Sequence, residues 1–360
     1  MKYHLKEKNK PMYLELYEQI RKDIVNKVYP FGSKLPSKRT VAEDVGVSII
    51  TVEHAYALLV EEGYVESRER SGFFVVFNTG DMYLEEDYTR EERPLYHNEK
   101  IIGEFPFSVL AKAMRKVIAD YGENLLEKTD NLGDLSFRQA IKKYLIRNRG
   151  IDADVNQIVI GSGAEYLYGL LTSLFERNKI FGIENPSYEK IEKVYVASGV
   201  KIEKLPLDAT GVASSALAKT KADVLHISPY KSYPTGITAD ASKRHEYVTW
   251  AGKGNRFIIE DDFQSEFSLL NKAEDTIFSL SDNDNVIYMN TFSKTISSSL
   301  RVGYMVLPKC LVEPFNEKLG FYSCTVPAFE QFLIKELLNN GDFERHINRV
   351  RRQKRSLGQI

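Results

Sequence analysis

Val286-Ile-Tyr-Met-Asn-Thr-Phe-Ser-Lys294-Thr-Ile-Ser-Ser-Ser-Leu-Arg301-Val-Gly-Tyr304 is the stretch on which the reading of this chain turns. An apolar run ends, a Thr/Ser-rich turn follows with a single lysine, and an arginine comes seven residues after that lysine. Upstream, a second apolar run, Phe257-Ile-Ile, ends in Glu260-Asp261-Asp262-Phe263. Short apolar runs closed by turn residues are the signature of buried strands. Further strand-like runs fall at 157–160, 180–183, 223–227 and 303–307, between helical patterns at 106–121, 133–148, 163–177 and 187–198. This alternation predicts an α/β domain, a mostly parallel sheet sandwiched by helices. In such sheets ligands bind beyond the carboxyl ends of the strands, and the polar segments above all lie there.

A lysine and a carboxylate at the ends of two buried strands suit pyridoxal 5′-phosphate. The amine forms a Schiff base with the aldehyde, and the carboxylate keeps the ring nitrogen protonated so that the ring accepts electrons. By themselves the segments also allow a solvated loop lysine and a helix cap or Mg²⁺ site at the acids. Gly161-Ser-Gly163-Ala164-Glu165 follows a strand and opens a helix, a backbone arrangement that meets phosphate. Two rival motifs fail there. Tyr166 stands where a dinucleotide fingerprint needs its third glycine, and the Gly-Lys-Ser/Thr ending of a nucleotide P-loop is missing.

Residues 11–77 form a separate unit. Leu16, Ile20, Ile24 and Val28 give a helix from Met12 to Val28. Pro30 to Pro36 breaks it. Ser37 caps a short helix carrying Val41, Ala42 and Val45, which Gly46 ends. Ser48 caps a third, over 49–62, with Val52, Tyr56, Leu59 and Val60 on one face, and Gly63 ends that one. Residues 64–76 are a β-hairpin with a short basic tip. Three helices and a hairpin describe a winged helix-turn-helix, whose third helix enters the DNA major groove. A small helical protein-binding domain fits the same pattern. Residues 78–100, acidic and without apolar periodicity, are expected to be a linker, leaving 101–360 to the α/β domain.

Composition sets the remaining bounds. The chain has 360 residues, 43% hydrophobic and 28% charged, with a net charge of −1. Its length implies more than one domain, and the charge balance confines any nucleic-acid surface to a local patch. The two cysteines, Cys310 and Cys324, form no Cys-x-x-Cys pair, which favours a reducing compartment. No apolar core marks the N-terminus as a signal peptide, and no run reaches the length of a membrane span. A cytoplasmic protein is expected.

With these segments quoted, a family resemblance is visible. Leu-Pro-Ser-Lys-Arg, Gly-Val-Ser, Thr-Val-Glu-His-Ala-Tyr, Glu-Glu-Gly-Tyr and Arg-Ser-Gly-Phe-Phe-Val, within 35–75, look like a GntR-type winged helix. The chain from about residue 101 looks like the large domain of a fold-type I aminotransferase. Together they resemble the MocR (GabR-like) regulators, in which an aminotransferase-like domain senses a ligand and a winged helix binds an operator. The resemblance implies roles. Lys294 would hold the cofactor as an internal aldimine and Asp261 would pair with its pyridinium nitrogen. The amides of Ala164 and Glu165, with Thr291 and Arg301, would take the phosphate. Tyr188 would stack on the ring. On DNA, Ser37, Lys38 and Arg39 would meet phosphates, Ser48 and Thr51 would face the groove, and Arg68 and Arg70 would sit on the wing. It implies a homodimer on double-stranded operator DNA, with a small amine or amino acid as effector.

Four departures accompany it. Phe263 stands where the family usually has tyrosine, beside the cofactor's O3′. Tyr230-Lys231-Ser232-Tyr233 replaces a usual Ser-His-Gln stretch before Phe-Pro-Thr/Ser-Gly. Relatives continue beyond the basic helix over 344–355 into a small C-terminal domain bearing a carboxylate-binding arginine, so that domain is expected to be missing. Ile49 replaces a usual arginine; it either packs or meets a thymine methyl. A PLP-dependent regulator is therefore the leading expectation. An active aminotransferase with an accessory DNA-binding domain is the alternative, opposed by Phe263 and the short C-terminus, and a truncated remnant performing neither task is the third reading.

Overall fold

The computed structural model describes residues 3, 11–69, 71–77, 104–269 and 274–356. The expected linker at 78–100 and the wing residue Arg70 lie outside the described residues. The chain divides into two compact units, Met1–His97 and Asn98–Ile360.

The first unit is a winged helix. Its elements are α1 (Met12–Val25), α2 (Lys38–Val45), α3 (Ile49–Glu61), β1 (Val65–Arg68) and β2 (Gly72–Val75). Both α2 and α3 start on hydroxyl caps: Ser37 Oγ accepts from the Thr40 amide and Ser48 Oγ from the Thr51 amide, each at 3.1 Å. Such caps satisfy amide donors that the first helical turn leaves unpaired. Gly46 ends α2 in the left-handed region at φ 75°, where a side chain is strained. That makes the tight turn into α3. Leu16, Ile20, Ile24, Val41, Val52, Tyr56, Leu59, Val65 and Val75 fill the core, and Tyr56 Oη donates to the Pro36 carbonyl at 2.8 Å. β1 and β2 pair antiparallel from Val65 opposite Val75 to Arg68 opposite Gly72. Two expected core positions differ. α1 stops before Val28, which is 43% exposed, because Lys27 turns the chain at φ 60°. Val60 points outward, since the buried face of α3 is set by Val52, Ala55, Tyr56 and Leu59.

The second unit runs α4 (Phe107–Tyr121), α5 (Leu135–Arg149), β3 (Ile158–Gly161), α6 (Ala164–Leu174), β4 (Ile180–Asn185), α7 (Glu189–Ala197), β5 (Lys201–Asp208), β6 (Gly211–Val212), α8 (Ser214–Lys219), β7 (Val224–Ile227), α9 (Ala241–Ala251), β8 (Phe257–Asp261), α10 (Ile277–Leu280), β9 (Val286–Thr291), β10 (Gly303–Val306), α11 (Lys309–Leu319), α12 (Ala328–Asn339) and α13 (Asp342–Ser356). The sheet order is β3-β10-β9-β8-β7-β4-β5-β6. β9, β8, β7, β4 and β5 are parallel, whereas β10 runs against both β3 and β9, and β6 against β5.

Side chains alternate across this sheet, as strand geometry requires. Ile287 and Met289 join one core with Leu167 and Leu171 of α6, Tyr195 of α7 and Phe315 of α11. Tyr288, together with Ile158 and Ile160 of β3, joins the opposite core with Phe137 and Ile141 of α5, Leu333 and Leu337 of α12 and Phe343 of α13. Strands β3, β7, β9 and β10 are buried throughout, in keeping with their mostly apolar sequences. The expected doubly covered sheet is present. Among the described residues no helix is long and apolar enough to cross a membrane.

Candidate functional site

The topology brings segments far apart in sequence to one edge of the sheet. β3, β4, β8 and β9 end there, and β10, being antiparallel, begins there, with Gly303 opposite both Thr291 and Gly161. Gly163–Glu165, Tyr188, Asp261, Thr291 and Arg301 all follow or close these ends. Lys294 lies three residues beyond Thr291, exposed in the turn that leaves β9.

At the start of α6, Gly163 has φ 90°, and a Cβ there would come within 2.8 Å of the Arg301 guanidinium. The left-handed φ favours glycine here, whereas the exposed Arg301 tip could move aside from a side chain. Ala164 and Glu165 open the helix, where first-turn amides have no acceptor within the helix, and the Glu165 amide serves its own carboxylate. The Glu165 carboxylate bonds Arg301 through one oxygen and takes Lys190 Nζ at 2.7 Å on the other. Burial disfavours its charge, but the bonds from Lys190, its own backbone amide and Arg301 outweigh this and hold its pKa down to about 2. Thr291 is buried at the end of β9. Tyr188 lies half-buried at the start of α7, edge-on to Tyr233 with ring centroids 6.1 Å apart.

Asp261 is buried and held from two sides. Tyr168 Oη, from α6, donates to its Oδ2, and His226 Nε2, from the adjacent strand β7, lies 3.4 Å from the same oxygen. Tyr195 Oη contacts His226 Nδ1 at 2.6 Å. Burial, then the Asp261 charge, raises the phenols of Tyr168 and Tyr195 well above the ordinary tyrosine value, so both keep their protons. The network closes when Tyr195 donates to Nδ1 and Nε2–H donates to Asp261. Both bonds fall on Oδ2, and Oδ1 takes part in neither. Sequence reasoning did not find Tyr168, His226 or Tyr195.

The acids flanking Asp261 serve other partners. Glu260 accepts from the Ile277 and Phe278 amides at 3.0 and 2.9 Å. Asp262 pairs with Arg149 at 2.5 Å and accepts from Tyr288 and Ser265. Phe263 follows, half-buried. Among the described residues no group of three His, Cys, Asp or Glu side chains could hold a metal ion.

In the winged helix, the Ser37 and Ser48 hydroxyls serve as caps, and the Ser48 and Thr51 oxygens lie 2.9 Å apart. Lys38 is paired with Glu53 of α3 at 2.5 Å. Arg39 is exposed at the start of α2. Arg68 lies over the Phe74 ring at 4.6 Å and 3.4 Å from Glu66.

A winged helix joined to an α/β domain with an anion cradle and a buried, hydrogen-bonded aspartate on one sheet edge defines a two-part regulator architecture. Comparison with known proteins gives the family. Residues 12–75 match the bacterial regulatory proteins of the gntR family, and residues 101–357 match aminotransferase class I and II. The HTH-type transcriptional regulator YdeL of Bacillus subtilis (strain 168), itself uncharacterized, is 31% identical over 361 residues, covering 96% of this chain and 78% of the relative. The probable rhizopine catabolism regulatory protein MocR of Rhizobium meliloti is 27% identical, covering 95% and 74%. Among solved structures, Pyrococcus horikoshii kynurenine aminotransferase, in complex with PMP, superposes with a TM-score of 0.64 at 23% identity, covering 77% of this chain and 73% of that one. This last likeness concerns the fold. The chain belongs to the GntR-type regulators of MocR kind, HTH-type transcriptional regulators with an aminotransferase-like domain.

Proposed function

We propose that this regulator binds double-stranded operator DNA as a cytoplasmic homodimer and binds pyridoxal 5′-phosphate at the carboxyl edge of its large sheet, responding there to a small amine or amino acid. The observation that carries the proposal is the convergence of Gly163, Arg301, Asp261 and Lys294 on that one edge. The residues fit the group. The glycine-opened cradle beside Arg301 suits a phosphate, and its two donor types are those that bind oxyanions. Asp261, buried with both its bonds on one oxygen, suits a protonated ring nitrogen. Lys294 supplies an exposed primary amine.

When bound, pyridoxal phosphate supplies an aldehyde that reacts with amines and a ring that accepts electrons. The protein's part is positional. The Ala164 and Glu165 amides, Thr291 and Arg301 would hold the phosphate. Tyr188 would stack on the ring. Tyr168 and His226 fix Asp261, so that its charge stays aimed at one place and does not reorient. Amine sensing requires that the ligand favour one arrangement of the dimer over another, since only differential affinity shifts an equilibrium. Domain limits of 11–77 and 101–360, joined by 78–100, are part of the same proposal.

Retained transamination is the second reading, with which the Asp261 network is equally compatible. Phe263 supplies no phenol where one is usual, which counts against it. The deciding experiment is a visible titration of the purified chain with pyridoxal phosphate, followed by borohydride reduction and peptide mapping. A new visible band that borohydride abolishes while leaving the reduced cofactor attached to Lys294, and that is missing in Lys294→Ala, supports the reading. A spectrum equal to that of free cofactor overturns it. Stoichiometric conversion to the pyridoxamine form on adding an amino acid would identify an enzyme as well.

A further inference from the structure

We propose that α3 reads thymine 5-methyl groups in the major groove through Ile49 and Ile50. The inference rests on the operator-binding reading above and specifies which base feature is recognised.

α3 has two distinct faces. Val52, Ala55, Tyr56 and Leu59 are buried against the rest of the winged helix. Ile49, Ile50, Glu53, His54 and Ala57 form the outward face. Ile49 is 47% exposed and Ile50 64%, adjacent at the leading end of the helix. Single exposed aliphatic residues are ordinary on protein surfaces. Here, however, the rest of the leading end offers little else for base contact. Residues 49–61 contain neither lysine nor arginine, so this helix cannot make the two-pronged contact to guanine O6 and N7. The nearest cation from α2, Lys38, is already paired with Glu53 at 2.5 Å. The Ser48 hydroxyl is committed to the Thr51 amide, and the two hydroxyl oxygens lie 2.9 Å apart. What protrudes beyond them is two branched aliphatic side chains.

Among base edges in the major groove, only thymine presents a methyl group; the others present donors and acceptors alone. Isoleucine pressed against a G·C pair would leave those polar atoms without water or partner, which is costly. Pressed against thymine, it removes apolar surface of both partners from water. The exposed Arg39 and the wing residue Arg68 then supply the sequence-independent phosphate contacts.

The test begins with selection of the full chain against a random duplex library. The selected duplex is then resynthesised with deoxyuridine replacing each thymine in turn, which deletes only the methyl and leaves the protein untouched. The expected result is A·T enrichment in each half-site, with a loss of roughly three- to fivefold per contacted methyl. The Ile49→Ala, Ile50→Ala double variant is expected to bind thymine and deoxyuridine duplexes equally. Enrichment of a sequence that tolerates deoxyuridine everywhere, or that needs G·C under α3, would overturn the inference while leaving operator binding standing. Failure to bind or enrich any duplex would overturn the operator-binding reading, and this inference with it.

Discussion

Glu165 and Arg301 are bonded side chain to side chain at the start of α6, and Lys190 holds the other Glu165 oxygen at 2.7 Å. The cradle that suits a phosphate therefore contains its own carboxylate, bound to the guanidinium that a phosphate needs. Ionised down to about pH 2, Glu165 keeps this role at every physiological pH.

Competition of this kind sets affinity. Glu165→Gln removes the internal anion and is expected to tighten pyridoxal phosphate binding on the order of tenfold. Arg301→Ala removes a charged donor and is expected to weaken it ten- to hundredfold, roughly. Equilibrium titration by absorbance measures both, with inorganic phosphate as competitor to localise the effect. Equal affinities for Glu165→Gln and the parent protein would show that the pairing does not control access.

Burial of carboxyls gives the protein a pH signature. Burial pushes Glu184 up to about 7, despite the hydroxyl of Ser232 donating to it at 2.6 Å. Burial, then the neighbouring Asp262, pushes Glu260 to about 7. The folded protein thus holds protons that the unfolded chain, with carboxyls near 4.5, has already released. Their stabilising contribution is complete below pH 4.5 and is lost as pH rises through 7. His346, driven by burial and Arg349 down to about 4, acts in the opposite sense, chiefly below its ordinary value of 6.5. The melting temperature is expected to fall between about pH 6.5 and 8, with Glu184→Gln flattening the decline. A rise over that interval would contradict this assignment.

On the DNA side, Arg39→Ala is expected to weaken binding to all duplexes alike. It should reduce the slope of log affinity against log salt by about 0.9, the signature of one lost phosphate contact. Filter binding across a salt series measures it. A change in sequence preference with an unaltered slope would assign Arg39 to bases instead.

The sequence showed clearly those parts of the site that are local. Lys294, Arg301 and Gly163 announced themselves because a mostly apolar strand gives way to a polar turn, a pattern contained within a few residues. The caps at Ser37 and Ser48 and the left-handed Gly46 were legible for the same reason. Tyr168, His226 and Tyr195 were not. Tyr168 and His226 meet at Asp261, with Tyr195 of α7 behind His226, because β7 lies beside β8, and sheet order leaves no mark on local pattern. β5 was missed because Lys201, Lys204 and Pro206 break its periodicity, as befits a strand near the sheet margin. The partnership of Glu165 with Arg301 joins residues 136 positions apart, and only the antiparallel return of β10 brings them together.

Regulation through the cofactor site is the central claim, and one measurement addresses it directly: affinity of the full chain for its selected duplex with and without saturating pyridoxal phosphate, beside Lys294→Ala. Coupling between the two sites is expected to shift the affinity of the parent protein by roughly 5- to 150-fold and to vanish in the variant. Identical affinities in all four conditions would contradict the account and leave a DNA-binding protein whose aminotransferase-like domain senses nothing through Lys294.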